Sequence, residues 1–255
     1  MDLGLRGKKA FVTGASKGIG LRIARLLADE GADVGICARN PDAIDQTATE
    51  LRTRGIQVYA ATADLRGDGA DLKAAIDGAA QAFGGLDILV QNVSALSLRP
   101  DEQGWELAFQ TDVLGTLRCV EAAMPYLKQS SAGSIVVIGT SLAVTGAGGP
   151  MAYGGIKASL LHYVSSLARS LAPENIRANT VSPGAVYFKG GVFDRLDEEG
   201  SPDFLKETLK RYPMGRMATP EEVANAVVFI ASPAASYITG VNLMVDGGST
   251  ARVQY

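Results

Sequence analysis

The chain has 255 residues, 47% of them hydrophobic and 20% charged, with a formal net charge of −3. That balance supports a sizeable core and excludes disorder as the default reading. The small negative charge gives no electrostatic footprint for nucleic acid or an anionic membrane. No apolar run free of charged residues reaches membrane-spanning length, and the opening Met1-Asp2-Leu3-Gly4-Leu5-Arg6-Gly7-Lys8-Lys9 lacks the apolar stretch of a signal peptide, so a cytoplasmic protein is expected. Two cysteines, Cys37 and Cys119, one histidine, His162, and no Cys-x-x-Cys leave too few ligands for zinc, and no metal is expected. The thiols read as buried and reduced. His162 has no Gly-x-Ser-x-Gly elbow to serve as the base of a triad.

From the amino end, short β-branched or apolar runs alternate with stretches of helical period. Strands are predicted at 10–13, 34–38, 57–61, 86–91, 135–139, 177–181 and 241–245. In the first intervening stretch Ile19, Ile23, Leu26 and Leu27 share one helical face. Helix starts are marked by Asn40-Pro41 and by the capping box Thr219-Pro220-Glu221-Glu222. Strand–helix alternation predicts a parallel sheet covered by helices on both faces. No linker or repeat divides the chain, so 1–255 is expected to be a single domain. The rhythm breaks at about 185–213, where Gly190-Gly191 and a short helix opened by Ser201-Pro202 and closed by Pro213 follow a strand's carboxyl end. Such an insertion is expected to act as a substrate lid.

The first strand runs into Thr13-Gly14-Ala15-Ser16-Lys17-Gly18-Ile19-Gly20 and then a helix. Glycines there allow a tight turn and close approach of backbone N–H groups to a pyrophosphate, which the helix amino end stabilises. The second strand ends Cys37-Ala38-Arg39-Asn40, where folds selecting NAD carry an acid for the ribose 2′-hydroxyl. Arg39, with Lys17 as a second cation, suits a 2′-phosphate instead, so NADP(H) is the expected cofactor.

Tyr153 and Lys157 stand four residues apart at the start of a stretch with Leu160, Leu161, Val164, Leu167, Ala168 and Leu171 at helical spacing. The pair shares one face, roughly 40° apart around the axis, with His162 roughly opposite Tyr153. A neighbouring ammonium stabilises a phenolate and brings a phenol of ordinary pKa about 10 toward the working range.

With these residues in place the chain resembles the short-chain dehydrogenase/reductase family over essentially its whole length, in a 3-oxoacyl-reductase-like form. The matching stretches are 13–20, Asp64-Leu65, Asn92, Tyr153/Lys157, Asn179 with Pro183-Gly184, and Val245-Asp246-Gly247-Gly248. The resemblance implies a Rossmann-type, doubly wound, seven-stranded α/β fold, usually assembled as a homotetramer and sometimes as a dimer. It also implies that Tyr153 exchanges the proton while Lys157 lowers its pKa and holds the nicotinamide ribose. Gly14, Ser16, Lys17, Gly18, Ile19 and Gly20 would line the cofactor loop, with Asp64 and Leu65 flanking the adenine. Asn92, Pro183, Gly184 and Val186 would border the rest of the cofactor. The family's serine stands thirteen residues before the tyrosine, which here is Thr140, with Ser141 one residue on. The unbroken run Val136-Val137-Ile138-Gly139-Thr140 makes Thr140 the expected donor and Ser141 the alternative.

Three positions depart from the family pattern. Gln91-Asn92-Val93-Ser94 replaces Asn-Asn-Ala-Gly, Asp112 replaces the catalytic asparagine seven residues after Trp105, and Phe188 stands where a threonine often holds the carboxamide. The expected activity is NADP(H)-dependent interconversion of a ketone or aldehyde and an alcohol on a small molecule. Asp112 and Phe188 motivate the alternative, a catalytically silent NADP-binding sensor or scaffold. A 3-oxoacyl thioester substrate is compatible with Arg169, though 128–133 offers a single basic residue, Lys128, to an acidic carrier.

Overall fold

Continuous apolar runs, whose successive side chains point to opposite sides, build one sheet with two buried faces. In this computed structural model, which describes residues 2–146, 149–199 and 202–251, the strands are β1 (Lys9–Thr13), β2 (Asp33–Ala38), β3 (Val58–Thr62), β4 (Ile88–Gln91), β5 (Gly133–Ile138), β6 (Ile176–Pro183) and β7 (Asn242–Val245). Their spatial order is β3-β2-β1-β4-β5-β6-β7, and every pairing is parallel. All seven expected strands are present, with ends moved by no more than two residues. On one face Val12, Val34, Ile36, Val136, Ile138 and Val181 pack beneath helices α1 (Gly18–Asp29), α2 (Pro41–Arg52) and α9 (Pro220–Ala231). On the other Phe11, Leu89, Ile135 and Val137 pack beneath α3 (Ala70–Phe83), α5 (Gly115–Leu127) and α6 (Ala152–Leu171). Consecutive residues of β1 and β5 thus serve opposite cores.

The marked helix starts take the geometry their residues favour. Asn40 accepts from the Ala43 amide at 2.9 Å. Thr219 and Glu222 form the full capping box, with the Thr219 amide donating to Glu222 at 2.8 Å. Cys37 and Cys119 are both free and buried. Burial pushes their thiols up, that of Cys37 to about 12, so neither is reactive near neutrality.

Two features were not predicted. Between α4 (Glu102–Ala108) and α5 lies a π-helical segment, Phe109–Leu114, which a 3.6-residue period does not reveal. In the insertion a further helix, α7 (Val192–Glu198), precedes α8 (Pro202–Leu209). It forms because Asp194 hooks back, accepting from the Gly190 amide at 2.7 Å and the Tyr187 hydroxyl at 2.9 Å. Ser201, expected to open the lid's helix, lies outside the described residues. Among the described residues no helix is long and apolar enough to cross a membrane.

Candidate active site

The sheet order reverses between β1 and β4, so the connections leaving their carboxyl ends turn to opposite faces and open a crevice, the usual ligand position of such sheets. The glycine loop leaves β1 at this crevice. Gly14 and Gly18 have φ of 67° and 56°, which favour glycine. A Cβ on Gly14 would stand 2.8 Å from Val93, and one on Gly20 only 2.4 Å from the Gly14 carbonyl oxygen. Val93, the bulkier departure, therefore packs directly on the loop. Asn92 clamps it: the side-chain amide donates to the carbonyls of Thr13 at 3.0 Å and Gly14 at 3.3 Å. Its side chain holds the loop in shape, a role the sequence motif did not reveal.

Helix α1 begins with no side-chain cap and no acid in its first turn, as does α6, whereas α2, α4 and α9 are side-chain capped. Its amino end thus presents N–H groups and a positive dipole end beside Ser16, Lys17, Gly18 and Ile19, and the chemistry fits a phosphate. Lys17 and Arg39 are both exposed on this side. Asp64 is held below its ordinary range by hydrogen bonds from Arg66, against opposing burial, with Arg39 adding to the pull. The Leu65 side chain belongs to the core, facing Gly115 of α5, which leaves Asp64 as the accessible member of that pair.

At the carboxyl end of β5 the second half of the site assembles. Lys157 and Asp112 form an ion pair at 3.1 Å, each side chain only 1% exposed. The Lys157 ammonium also donates to the Ile138 carbonyl at 2.8 Å. Asp112 sits in the π-helical segment, whose wider turn carries its side chain inward. Its other carboxylate oxygen accepts from the Ala95 amide at 2.9 Å, and its carbonyl accepts from the Thr116 hydroxyl at 2.5 Å. Tyr153 is half-buried on the first turn of α6. Its hydroxyl is pushed up to about 12, chiefly by burial, with a hydrogen bond from Thr140 working against this and the Asp112 charge adding to it. The phenol is therefore raised in this structure rather than lowered as expected from Lys157, with burial the main cause and the Asp112 charge adding to it.

The Thr140 hydroxyl works against that rise and accepts from the Leu142 amide at 3.3 Å. Ser141 is buried beside it, and its carbonyl accepts from Thr145 at 3.2 Å. His162 is exposed on the same helix, away from the group. A loop that sequence reasoning passed over steadies Tyr153: its amide donates to the Ser97 carbonyl at 3.0 Å and the Ala152 amide donates to the Arg99 carbonyl at 3.3 Å. Leu96 in that loop has φ 48°, a strained value for a side-chain-bearing residue. The hydroxyls of Ser97 and Thr111 are buried with no partner among the described residues.

Pro183 ends β6, and Gly184 is crowded: a Cβ there would stand 2.9 Å from Tyr212 and 3.0 Å from Asp246. Val186 bridges to Ala218. The insertion leans back on the glycine loop, with the Phe188 ring 2.7 Å from where a Gly18 Cβ would be and the Lys17 ammonium 3.5 Å from the Gly190 carbonyl.

Comparison with known proteins agrees with this geometry. A family described as enoyl-(acyl carrier protein) reductase matches residues 14–250. Isoepoxydon dehydrogenase from Penicillium expansum is 33% identical, covering 100% of this chain and 99% of its own length. The 3-oxoacyl-(acyl-carrier-protein) reductase of Staphylococcus aureus is 34% identical, covering 94% and 97%. The crystal structure of L-sorbose reductase from Gluconobacter frateurii, complexed with NADPH and L-sorbose, superposes with a TM-score of 0.92 at 29% identity, covering 99% of this chain and 100% of that one. The chain belongs to the short-chain dehydrogenase/reductase family, whose members named here are dehydrogenases and reductases.

Proposed function

We propose that the protein is an NADP(H)-dependent oxidoreductase interconverting a small ketone or aldehyde and an alcohol. The observation that carries this reading is Tyr153 one helical turn from the buried Lys157–Asp112 pair, with Thr140 at the end of β5, at the same end of the sheet as the glycine loop. When bound, the nicotinamide supplies or accepts the hydride. Gly14, Ser16, Gly18, Ile19 and Gly20 receive the pyrophosphate through backbone N–H groups, and Arg39 with Lys17 receives the 2′-phosphate. Asp64, Pro183, Gly184 and Val186 would border the nucleotide and nicotinamide, and Lys157 would hold the ribose. Thr140 donates a hydrogen bond to the substrate oxygen, and Tyr153 delivers the proton to it from Oη. No metal is required. An L-sorbose reductase with NADPH at a TM-score of 0.92 supports the NADP(H) reading.

The insertion at about 185–213 acts as a substrate lid on the single domain; its contacts with Gly18 and Lys17 support this. A homotetramer is supported by exposed apolar side chains at two places. Trp105 and Phe109, 42% and 41% exposed, lie beside α6, and Tyr237 and Val241, 103% and 38% exposed, lie before β7. The location is cytoplasmic. The test is NADPH absorbance followed against a panel of ketones, aldehydes and alcohols, with turnover of at least one carbonyl expected. Stoichiometric NADPH binding with no turnover across the panel would overturn the reading in favour of a silent cofactor-binding protein.

A further inference from the structure

We propose that Asp112 is a positioning residue that holds the Lys157 ammonium in a closed ion pair and thereby sets the pH at which Tyr153 changes from proton donor to proton acceptor. The inference rests on the carbonyl–alcohol reading of the site. Its geometric basis is that the pair is sealed: 3.1 Å apart, 1% exposed on each side, and out of reach of solvent screening. Both members are fixed from behind. Lys157 is tied to the Ile138 carbonyl, and Asp112 to the Ala95 amide and, through its own carbonyl, to Thr116. The carboxylate therefore stays with the ammonium.

Charge counting gives the consequence. With an uncharged residue at 112, ionising the phenol would take the three-residue cluster from a net +1 to neutral. With Asp112 present the same step takes it from neutral to −1, and in a poorly screened site the second is harder. Asp112 is accordingly among the influences that push the Tyr153 hydroxyl up, after burial. The other groups around the phenol do not reverse this. Thr140, Ser141, Ser97 and Thr111 are neutral, and Arg99 and Asp101 pair with each other at 2.5 Å on the surface. On the lid, Asp194 is engaged by Tyr187 and Gly190, and Lys189 is exposed.

A residue cannot alter the ratio of forward to reverse specificity at a given pH, because the reaction's equilibrium constant fixes it. What Asp112 moves is the break. Below it Tyr153 is protonated and reduction is independent of pH. Above it Tyr153 is a phenolate, reduction falls and alcohol oxidation levels off. The pair widens the pH range over which the site donates a proton.

The test compares wild type with Asp112→Asn, which keeps shape and an acceptor for Ala95 while removing the charge. Two measurements are made: the pH profile of kcat/KM for carbonyl reduction with NADPH, and the ultraviolet tyrosinate titration of the cofactor-free protein, taken as the difference from Tyr153→Phe. Both breaks are expected to fall by about one pH unit or more in Asp112→Asn, about a tenfold gain in phenolate at a given pH. Asp112→Ser, also uncharged, makes the same comparison if asparagine disturbs the loop. Coincident titrations in folded wild type and variant would overturn the inference. A lowered tyrosinate titration with no turnover of any carbonyl would support the inference and count against the proposed function alone.

Discussion

At the amino end of the sheet Arg177 is buried, 8% exposed, and its guanidinium donates to the carbonyls of Ile230, Ala231, Ser232 and Ile238 and to the Ser134 hydroxyl, at 2.7–3.2 Å. At the carboxyl end Lys157 is buried as deeply, yet it has one carbonyl and one carboxylate. Arg177 closes the carboxyl end of α9, where unpaired carbonyls and the negative dipole end hold a cation without an acid. The difference runs through both edges. Asp33 accepts from the Gln57 amide, and Asp87 from the Lys9 amide and the Ser130 hydroxyl. At the opposite edge α1 is uncapped, and Ser97 and Thr111 carry hydroxyls with no partner among the described residues. Polar groups at the amino end complete the fold, whereas at the carboxyl end some, the Ser97 and Thr111 hydroxyls and the first N–H groups of α1, are left open to a ligand. Folding alone would favour closing both, so the open edge marks where function departs from stability.

This contrast predicts two kinds of mutant. The largest effect belongs to Tyr153→Phe, which removes one hydroxyl from the open edge. Turnover is expected to fall about a thousandfold or more while NADPH affinity, measured by fluorescence titration, is nearly unchanged. Comparable turnover in the variant would remove Tyr153 from the mechanism. Arg177→Met should do the reverse. It leaves four carbonyls and a hydroxyl without their donor, a loss of about 3 kcal/mol or more in unfolding free energy by denaturant titration. The kcat of the folded fraction should stay close to wild type. A variant of unchanged stability and collapsed kcat would break the contrast between the edges.

Much of this was legible in the sequence, for identifiable reasons. Runs such as Ile135–Val137 are apolar on both sides because a parallel strand is buried on both faces, so each strand showed itself locally. The Gly14–Gly20 loop and Tyr153/Lys157 were equally local, since backbone conformation and helical spacing bind those residues together. The Lys157–Asp112 pair was not legible as a contact, because its members are 45 positions apart and meet only through the π-helical segment. That segment breaks the very period by which helices are read. Arg177 reads in sequence as an ordinary strand charge; the carbonyls that bury it come from 230–238.

A sharper cut within the open edge separates Thr140 from Ser141. Successive residues leaving β5 point to opposite sides, and of the two it is Thr140 whose hydroxyl acts on the phenol's pKa. Thr140→Val, which preserves shape, is expected to lower kcat about a hundredfold, whereas Ser141→Ala should leave it near wild type. Loss in Ser141→Ala alone would reassign the donor to the neighbouring residue.

The smallest expected effect tests whether the open edge selects its nucleotide by charge. Arg39 is exposed at the end of β2, and its charge reaches Asp64, the acid nearest the expected adenine position. Asp64 is already engaged by Arg66 at 2.6 Å, so Arg39 remains available to an incoming 2′-phosphate, which an acid in its place would repel. Being exposed, its contribution is screened, and about tenfold in NADPH affinity, roughly 1.4 kcal/mol, is the expected loss in Arg39→Ala. NADH, which lacks the phosphate, should bind wild type and variant alike. Titrating both nucleotides against both proteins at fixed ionic strength separates the cases. Raising the salt should shrink the wild-type preference toward that of Arg39→Ala if charge is its source. Equal affinity of the wild type for NADPH and NADH would show that neither Arg39 nor Lys17 discriminates, and that the open edge is shaped for a dinucleotide without reading its phosphate.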